Sequence, residues 1–146
     1  SPEISDAPPF RRHRVDELEI LCGDFFDLRP EQVTGVTALF DRASLIALPP
    51  AMRPAYVRHL HELLPAGAQV NGLLVTLDYE QTEWPGPPFA VTPAEVNDLH
   101  GGHFHIQELA ALDLLAMTPR YRERGLSRMM ERVYRLTSKA TTAADS

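Results

Sequence analysis

The chain has 146 residues, 44% of them hydrophobic and 23% charged, and a formal net charge of −6. That length suits one domain able to bury ~70% of its unfolded surface, and the acidic balance argues against a nucleic-acid platform, which needs a broad basic surface. The single cysteine, Cys22, rules out an internal disulfide framework and suits a reducing compartment, and no apolar run approaches the ~18 residues of a membrane span.

Residues 1–16 are Pro-rich and charged without periodicity, and they read as a loop or loose arm. SPEISDAPPF has neither a basic start nor an apolar core, so no signal peptide is expected there. Leu18 to Cys22 (LEILC) predicts a strand, broken at Gly23-Asp24. A buried strand cysteine is the better reading of Cys22 than a nucleophile, because no base lies near it in sequence. Pro30 to Val33 can make one helical turn. Thr37 to Phe40 predicts a second strand, ending at Asp41-Arg42. Met52, Tyr56, Leu60, Leu63 and Leu64 recur at helical spacing, which predicts an amphipathic helix over residues 51–64. Pro54 fits its first turn and Pro65-Ala66-Gly67 ends it.

Residues 72–78 predict a third strand that is apolar from Leu73 to Leu77. It runs into Asp78-Tyr79 and then a loop carrying Trp84, Phe89 and Pro85-Gly86-Pro87-Pro88. A buried strand opening into a stiff aromatic loop is a frequent build for a small-molecule site, since ligands sit outside the carboxyl ends of parallel strands. Thr92-Pro93-Ala94-Glu95 is a capping box with Pro at the first helical position, so a helix is expected from Pro93 to about Leu99. His103 to Leu109 is a fourth strand, residues 117–128 an Arg-rich loop, and residues 131–137 a fifth strand. The tail from Ser138 is small and polar. The organisation is an arm over 1–16, a domain over 17–137 and a flexible tail over 138–146.

Strands alternating with helices give an α/β sheet. The last two strands have no long helix between them, so they should pair antiparallel at one edge. His103 and His105 alternate and should share a strand face, whereas His59 and His61 do not share a helix face. With one cysteine and no four-ligand pattern, no metal site is expected. The chain has no G-x-G-x-x-G and no P-loop, and its first strand follows an uncapped segment. It therefore reads as starting partway through a domain.

CGDFFDL, LFDRASLIALPPAMRPAYVRHL, GLLVTLDYEQTEWPGPPF and the ending RERGL…ERVYRL resemble thiopurine S-methyltransferases of the bacterial type over residues 2–137. The resemblance implies a Rossmann-like class I methyltransferase sheet with an antiparallel C-terminal hairpin, lacking its first two strands in this chain. An unpaired central edge would follow, which invites swapping or association. It implies S-adenosylmethionine (SAM) as cofactor and a thiopurine or related thiol as methyl acceptor, in the cytoplasm, as a monomer in the intact family member. No nucleic-acid or membrane partner is implied.

By the same resemblance Asp24 and Phe25 flank the cofactor's adenine, and Arg42 contacts SAM beside the acceptor. Arg120 points into the acceptor pocket, with Tyr79 and Trp84 as walls. The residues themselves also allow Asp24 as a turn residue with Phe25 in a core, and an Asp41-to-backbone or Arg42-to-Glu pair. Arg122 or Arg124 could stand in place of Arg120, and Tyr79, Trp84 and Phe89 could pack the loop. Two rival functions are a non-catalytic truncated domain that folds only with a partner, and another small-molecule SAM methyltransferase.

Overall fold

A computed structural model describes residues 1–139 as two sheets. The first is an antiparallel sheet of β1 (Glu3–Ala7), β2 (Phe10–Val15) and β3 (Leu18–Cys22), in that order. The segment 1–16 is therefore not a loop. Pro8-Pro9 joins the pair Ala7–Phe10, and Asp16-Glu17 joins the pair Val15–Leu18. Asp16 has φ 52°, a left-handed conformation that a short polar side chain tolerates in a two-residue turn. Arg12 and Glu19 pair between β2 and β3 at 3.0 Å. Both faces of this sheet are largely exposed, so pairing rather than burial holds it and the sequence lacks an alternating apolar signal.

Leu18–Cys22 is a strand, as its composition predicts, but it belongs to this sheet and not beside residues 38–41. Cys22 is accordingly exposed, contrary to the expected buried thiol. Phe10 is the exception to the exposure. Its ring lies over Gly23, where an added Cβ would stand 2.5 Å from Phe10 Cδ1.

The second sheet contains β4 (Ala38–Asp41), β5 (Asn71–Asp78), β6 (Phe104–Asp113) and β7 (Met130–Ser138), in the order β4-β5-β7-β6. β4 and β5 are parallel, and β7 runs antiparallel to both β5 and β6. This is the mixed α/β sheet with an antiparallel final pair that the element order predicts. β6 is longer than expected and carries an irregularity between Glu108 and Ala110. It begins at Phe104, so His103 sits in the preceding turn and does not share a strand face with His105. β7 runs through Ser138, whose hydroxyl accepts from Val70 N (2.9 Å) and donates to Val70 O (3.2 Å). Residues 140–146 of the expected tail lie outside the described residues.

Helices α1 (Ser44–Ala47), α2 (Arg53–Leu63) and α3 (Pro93–His100) pack on one face of this sheet. Leu45, Tyr56, Val57 and Val96 meet Leu74, Tyr134 and Leu136 there. Thr92 caps α3 by accepting from Glu95 N at 3.2 Å. Glu95 does not complete the box. Its two carboxylate oxygens each take a 2.8 Å bond from Arg53 Nη1, and Arg53 Nε donates to Leu48 O.

On the opposite face Phe40 (67% exposed) and Leu73 (41%) remain open. The expected 117–128 loop is preceded by α4 (Leu114–Met117), which is capped by Asp113 and ends at the loop's first residue. The loop contains a second short helix, α5 (Pro119–Glu123), which starts on Pro119 and is followed by Gly125 at φ +88°.

Three histidines join α2, α3 and the turn before β6. His61 stacks on His103 with ring centroids 3.8 Å apart, and its centroid is 5.5 Å from that of His100. His100 is 1% exposed and neither ring nitrogen has a partner among the described residues. Burial, above all, pushes both His61 and His100 down to about 4; His103 adds to this for both, while Asp41 partly opposes it for His100.

Both are therefore neutral when folded, whereas unfolded imidazoles take up protons near 6.5. Their stabilisation is complete above about pH 6.5 and is lost as pH falls towards 4. His100 alone should cost on the order of 3 kcal/mol across that window. Urea midpoints followed from pH 7.5 to 4.5 should fall, and His100→Leu should flatten the slope.

Candidate functional site

The carboxyl ends of β4 and β5 open side by side, and the site is built there. Asp41 closes β4 as a buried carboxylate. Its Oδ1 accepts from Ser44 N (3.0 Å), which caps α1, and its Oδ2 accepts from the Tyr56 hydroxyl (2.7 Å). Burial and then the Asp41 charge push the Tyr56 phenol far above its usual range, so it stays a donor. Asp41 is thus the backbone-bonding residue that one sequence reading allowed. It fixes the reversal from which Arg42 projects. Arg42 is exposed and makes no ion pair or side-chain hydrogen bond among the described residues.

Two hollows flank this reversal. One, of about 460 Å³, is lined by Gly23, Asp24, Phe25, Phe26, Ser44, Ala47, Leu48 and Tyr56. Asp24 Oδ1 accepts from Phe26 N (2.9 Å) and caps the turn Phe25–Asp27. No bond is made by Asp24 Oδ2 among the described residues. Phe25 packs at a tilt against Tyr56 and edge-on against His59, with ring centroids 5.1 Å apart in both pairs. The turn and aromatic-core readings of these two residues therefore hold, and yet both still border the hollow. A mostly apolar, aromatic-lined hollow with one carboxylate in its lining has the chemistry to take an apolar ring that carries an amino group.

The other hollow, of about 310 Å³, is lined by Arg42, Ala43, Ile46, Val75, Leu77, Leu114, Tyr121 and Glu131. It joins the reversal after β4, the end of β5, α4, α5 and the start of β7. Arg120 does not line it. The Arg120 guanidinium lies 5.2 Å above its own neighbour, Tyr121, and it is Tyr121 that reaches the hollow.

Tyr79 and Trp84 stand behind this second hollow. Tyr79 is buried and donates to Pro88 O (2.7 Å), so it binds the two limbs of the aromatic loop together. Gln81 adds a brace: its Nε2 donates to Trp84 O (2.7 Å), and its Oε1 accepts from Ala90 N (2.9 Å). Phe89 N donates to Ile46 O (2.7 Å), which hangs the loop on α1. Gly86 at φ +77° lies under the Phe89 ring, where a Cβ would meet Cδ1 at 2.7 Å. Trp84 packs at a tilt against Tyr79, with centroids 5.6 Å apart, and lies 6.3 Å from Tyr121, ring to ring. Arg124, not Arg120, covers the Trp84 face at 5.2 Å.

Glu83 accepts from both the backbone and the hydroxyl of Ser127 and so latches the loop to the segment before β7. Asp78 is buried between Arg128 (2.9 Å) and Arg132 (3.0 Å). Burial opposes its charge, but the hydrogen bonds from these guanidinium groups overcome that and hold its carboxyl below the usual range.

The structure thus brings Asp24 and Phe25 to one hollow and Arg42 to the next, with Trp84 one aromatic ring away. It does not bring Arg120 or Tyr79 to either. Sequence reasoning missed Tyr121, Glu131 and Gln81. Tyr121 had a faint signal, as an aromatic in an Arg-rich stretch. Glu131 had none, because its place depends on its register opposite Leu77.

Comparison with known proteins places these features in a family. A family model described as thiopurine S-methyltransferase matches residues 1–139. Proteins named thiopurine S-methyltransferase are similar to the chain. The one from Pseudomonas fluorescens strain Pf0-1 is 47% identical over 135 residues, covering 92% of this chain and 61% of that protein. The one from Azotobacter vinelandii is 48% identical over 135 residues, covering 92% and 61%. The one from Nitrosospira multiformis is 44% identical over 139 residues, covering 95% and 62%. The chain spans about three-fifths of the length of these relatives.

Proposed function

The chain belongs to the thiopurine S-methyltransferase family, and from that premise we propose that it carries the acceptor side of a SAM-dependent methyl transfer to the sulfur of thiopurines or related heterocyclic and aromatic thiols. The observation that carries this reading is Arg42: a guanidinium with no ion pair among the described residues, on the reversal held by Asp41, lining a hollow of about 310 Å³ beside the one of about 460 Å³ that Asp24 and Phe25 border. Bound SAM would supply an electrophilic methyl group on a sulfonium.

The chain's own residues would do the rest. Phe25 and Asp24 would hold the adenine, by ring contact and by a carboxylate facing the amino group. Ile46, Val75 and Leu77 would exclude water from the reacting sulfur, and Arg42 would favour its anionic form. The braced aromatic loop would keep Trp84 and Tyr121 in place at little ordering cost. Alignment of acceptor sulfur and methyl is the main demand of such a displacement.

Calorimetry with SAM and a methyl-transfer assay on a thiopurine, a phenol and an amine test this reading. Transfer confined to the thiopurine supports it, and transfer to the phenol or the amine points to another small-molecule methyltransferase. A cytoplasmic location and a monomeric state belong to the same proposal; no helix among the described residues is long and apolar enough to cross a membrane.

The second reading, a domain that works only in association, is favoured by the exposed Phe40 and Leu73 on an uncovered sheet face. Absence of any heat with SAM, together with a sedimentation coefficient that rises with concentration, would select it.

A further inference from the structure

We propose that Glu131 is the residue that takes the acceptor's proton, and that the site is therefore built for acceptors that arrive protonated on sulfur or on the adjoining ring nitrogen. This rests on the methyl-transfer reading above and adds a role to it. Alternate residues of β7 face opposite sides of the sheet. Arg132 and Tyr134 point to the helix-covered face, and Arg132 is tied to Asp78 and Glu108. Glu131 points the other way, opposite Leu77, into the hollow that Arg42 also lines. It makes no hydrogen bond or ion pair among the described residues. Around it, Tyr121 from α5 and Arg42 after β4 are the titratable or charged groups; β5 and α4 present Val75, Leu77 and Leu114. The hollow thus has an apolar floor with, among the described residues, a cation and a carboxylate that make no ion pair.

That pairing answers a specific chemical need. A neutral heterocyclic thione or thiol must lose a proton to become a neutral methyl thioether. As the sulfur lone pair forms the new bond to the methyl carbon, the old carbon–sulfonium bond breaks and its electron pair stays on the departing sulfur. The proton on the acceptor's nitrogen or sulfur passes to a Glu131 carboxylate oxygen and then to water. Arg42 stabilises the charge that builds on sulfur, and Glu131 prevents that charge from being quenched by the retained proton. An acceptor already ionised in solution has no need of Glu131.

The test is Glu131→Gln, which keeps the shape and removes the base. Two acceptors are compared at pH 7: a heterocyclic thione with its proton on ring nitrogen, and an acidic nitrothiophenol that is already thiolate. The variant should lose about 10²–10⁴-fold in kcat/KM for the thione, stay within about threefold for the nitrothiophenol, and recover thione activity as pH rises. An equal loss on both acceptors, or no loss on the thione, overturns the proposal.

A second readout needs no cofactor. A Glu131 carboxylate that accepts the hydrogen bond of the thione N–H or S–H holds the bound acceptor protonated. Its ultraviolet band should therefore stay that of the neutral form when the wild-type chain is titrated in at pH 7, and should move towards the anionic form with Glu131→Gln, where Arg42 acts unopposed. The same band with both chains overturns the proposal. If wild type transfers methyl to no thiol, the methyl-transfer reading fails; the spectral comparison still decides the role of Glu131.

Discussion

Replacing Arg42 with alanine should lower methyl transfer to a thiol by about 10²-fold, while stability stays within about 0.5 kcal/mol of the parent. The two expectations have one cause. Arg42 has no ion pair among the described residues and stands exposed at the end of β4, so its removal breaks no packing. The reversal that carries it is held by Asp41, through Ser44 N and the Tyr56 hydroxyl, and both bonds survive the change. What is lost is a charge on the lining of an apolar hollow, placed to offset charge that develops on a sulfur bound there. Arg42→Lys should recover only part of the activity, because an ammonium keeps the charge but not the planar fork. Steady-state kinetics with a thiopurine, run beside a thermal melt, measure both. An alanine variant with parental kcat/KM would remove Arg42 from the mechanism.

The largest effect on stability is expected at Arg53, which is 1% exposed. Arg53→Met should cost about 3–5 kcal/mol, the usual penalty for removing one partner of a buried ion pair. Methionine fills the aliphatic part of the space, so the loss reports the charge rather than a cavity. Glu95 would lose both of its 2.8 Å bonds and Leu48 O would lose its donor. These contacts tie the start of α2 to the start of α3 and to the turn after α1, so the helical layer should loosen as a unit. Glu95 is partly exposed and can regain water, which places the expected value near the lower end. A double change, Arg53→Met with Glu95→Gln, should cost less than the sum of the two singles. Urea unfolding gives all three values, and a single-variant cost below about 1 kcal/mol would show that the pair behaves as a surface contact.

Local signals carried much of this architecture. The 3.6-residue recurrence of Met52, Tyr56, Leu60 and Leu63 placed α2, and Thr92-Pro93 placed the start of α3. The apolar run Leu73–Leu77 placed β5 and the mouth where Arg42 and the aromatic loop meet. The motifs DRASLIALP and LDYEQTEWPGPPF pointed to the family. Where the reading failed, the missing information was not local. The β1-β2-β3 sheet has polar residues on both faces, so only strand pairing, and not a burial pattern, marks it. Cys22 is exposed because no layer packs over that sheet, which an apolar strand sequence does not disclose. Arg53 lies in an ordinary helical first turn, and its burial depends on a carboxylate 42 residues away.

Element type, order and family were thus decided along the chain, because periodicity, caps and short motifs act between near neighbours. Which side chains share a hollow was decided only by folding. Tyr121 rather than Arg120 lines the hollow beside Arg42 because of the pitch of a five-residue helix, and Arg124 rather than Arg120 covers Trp84. Glu131 lines the same hollow as Arg42 because β7 runs antiparallel to β5 in a register that sets it opposite Leu77. A slip of one residue would turn Arg132 to that position and leave the hollow with two cations and no carboxylate. Register is a property of two strands together, and neither strand's sequence states it alone.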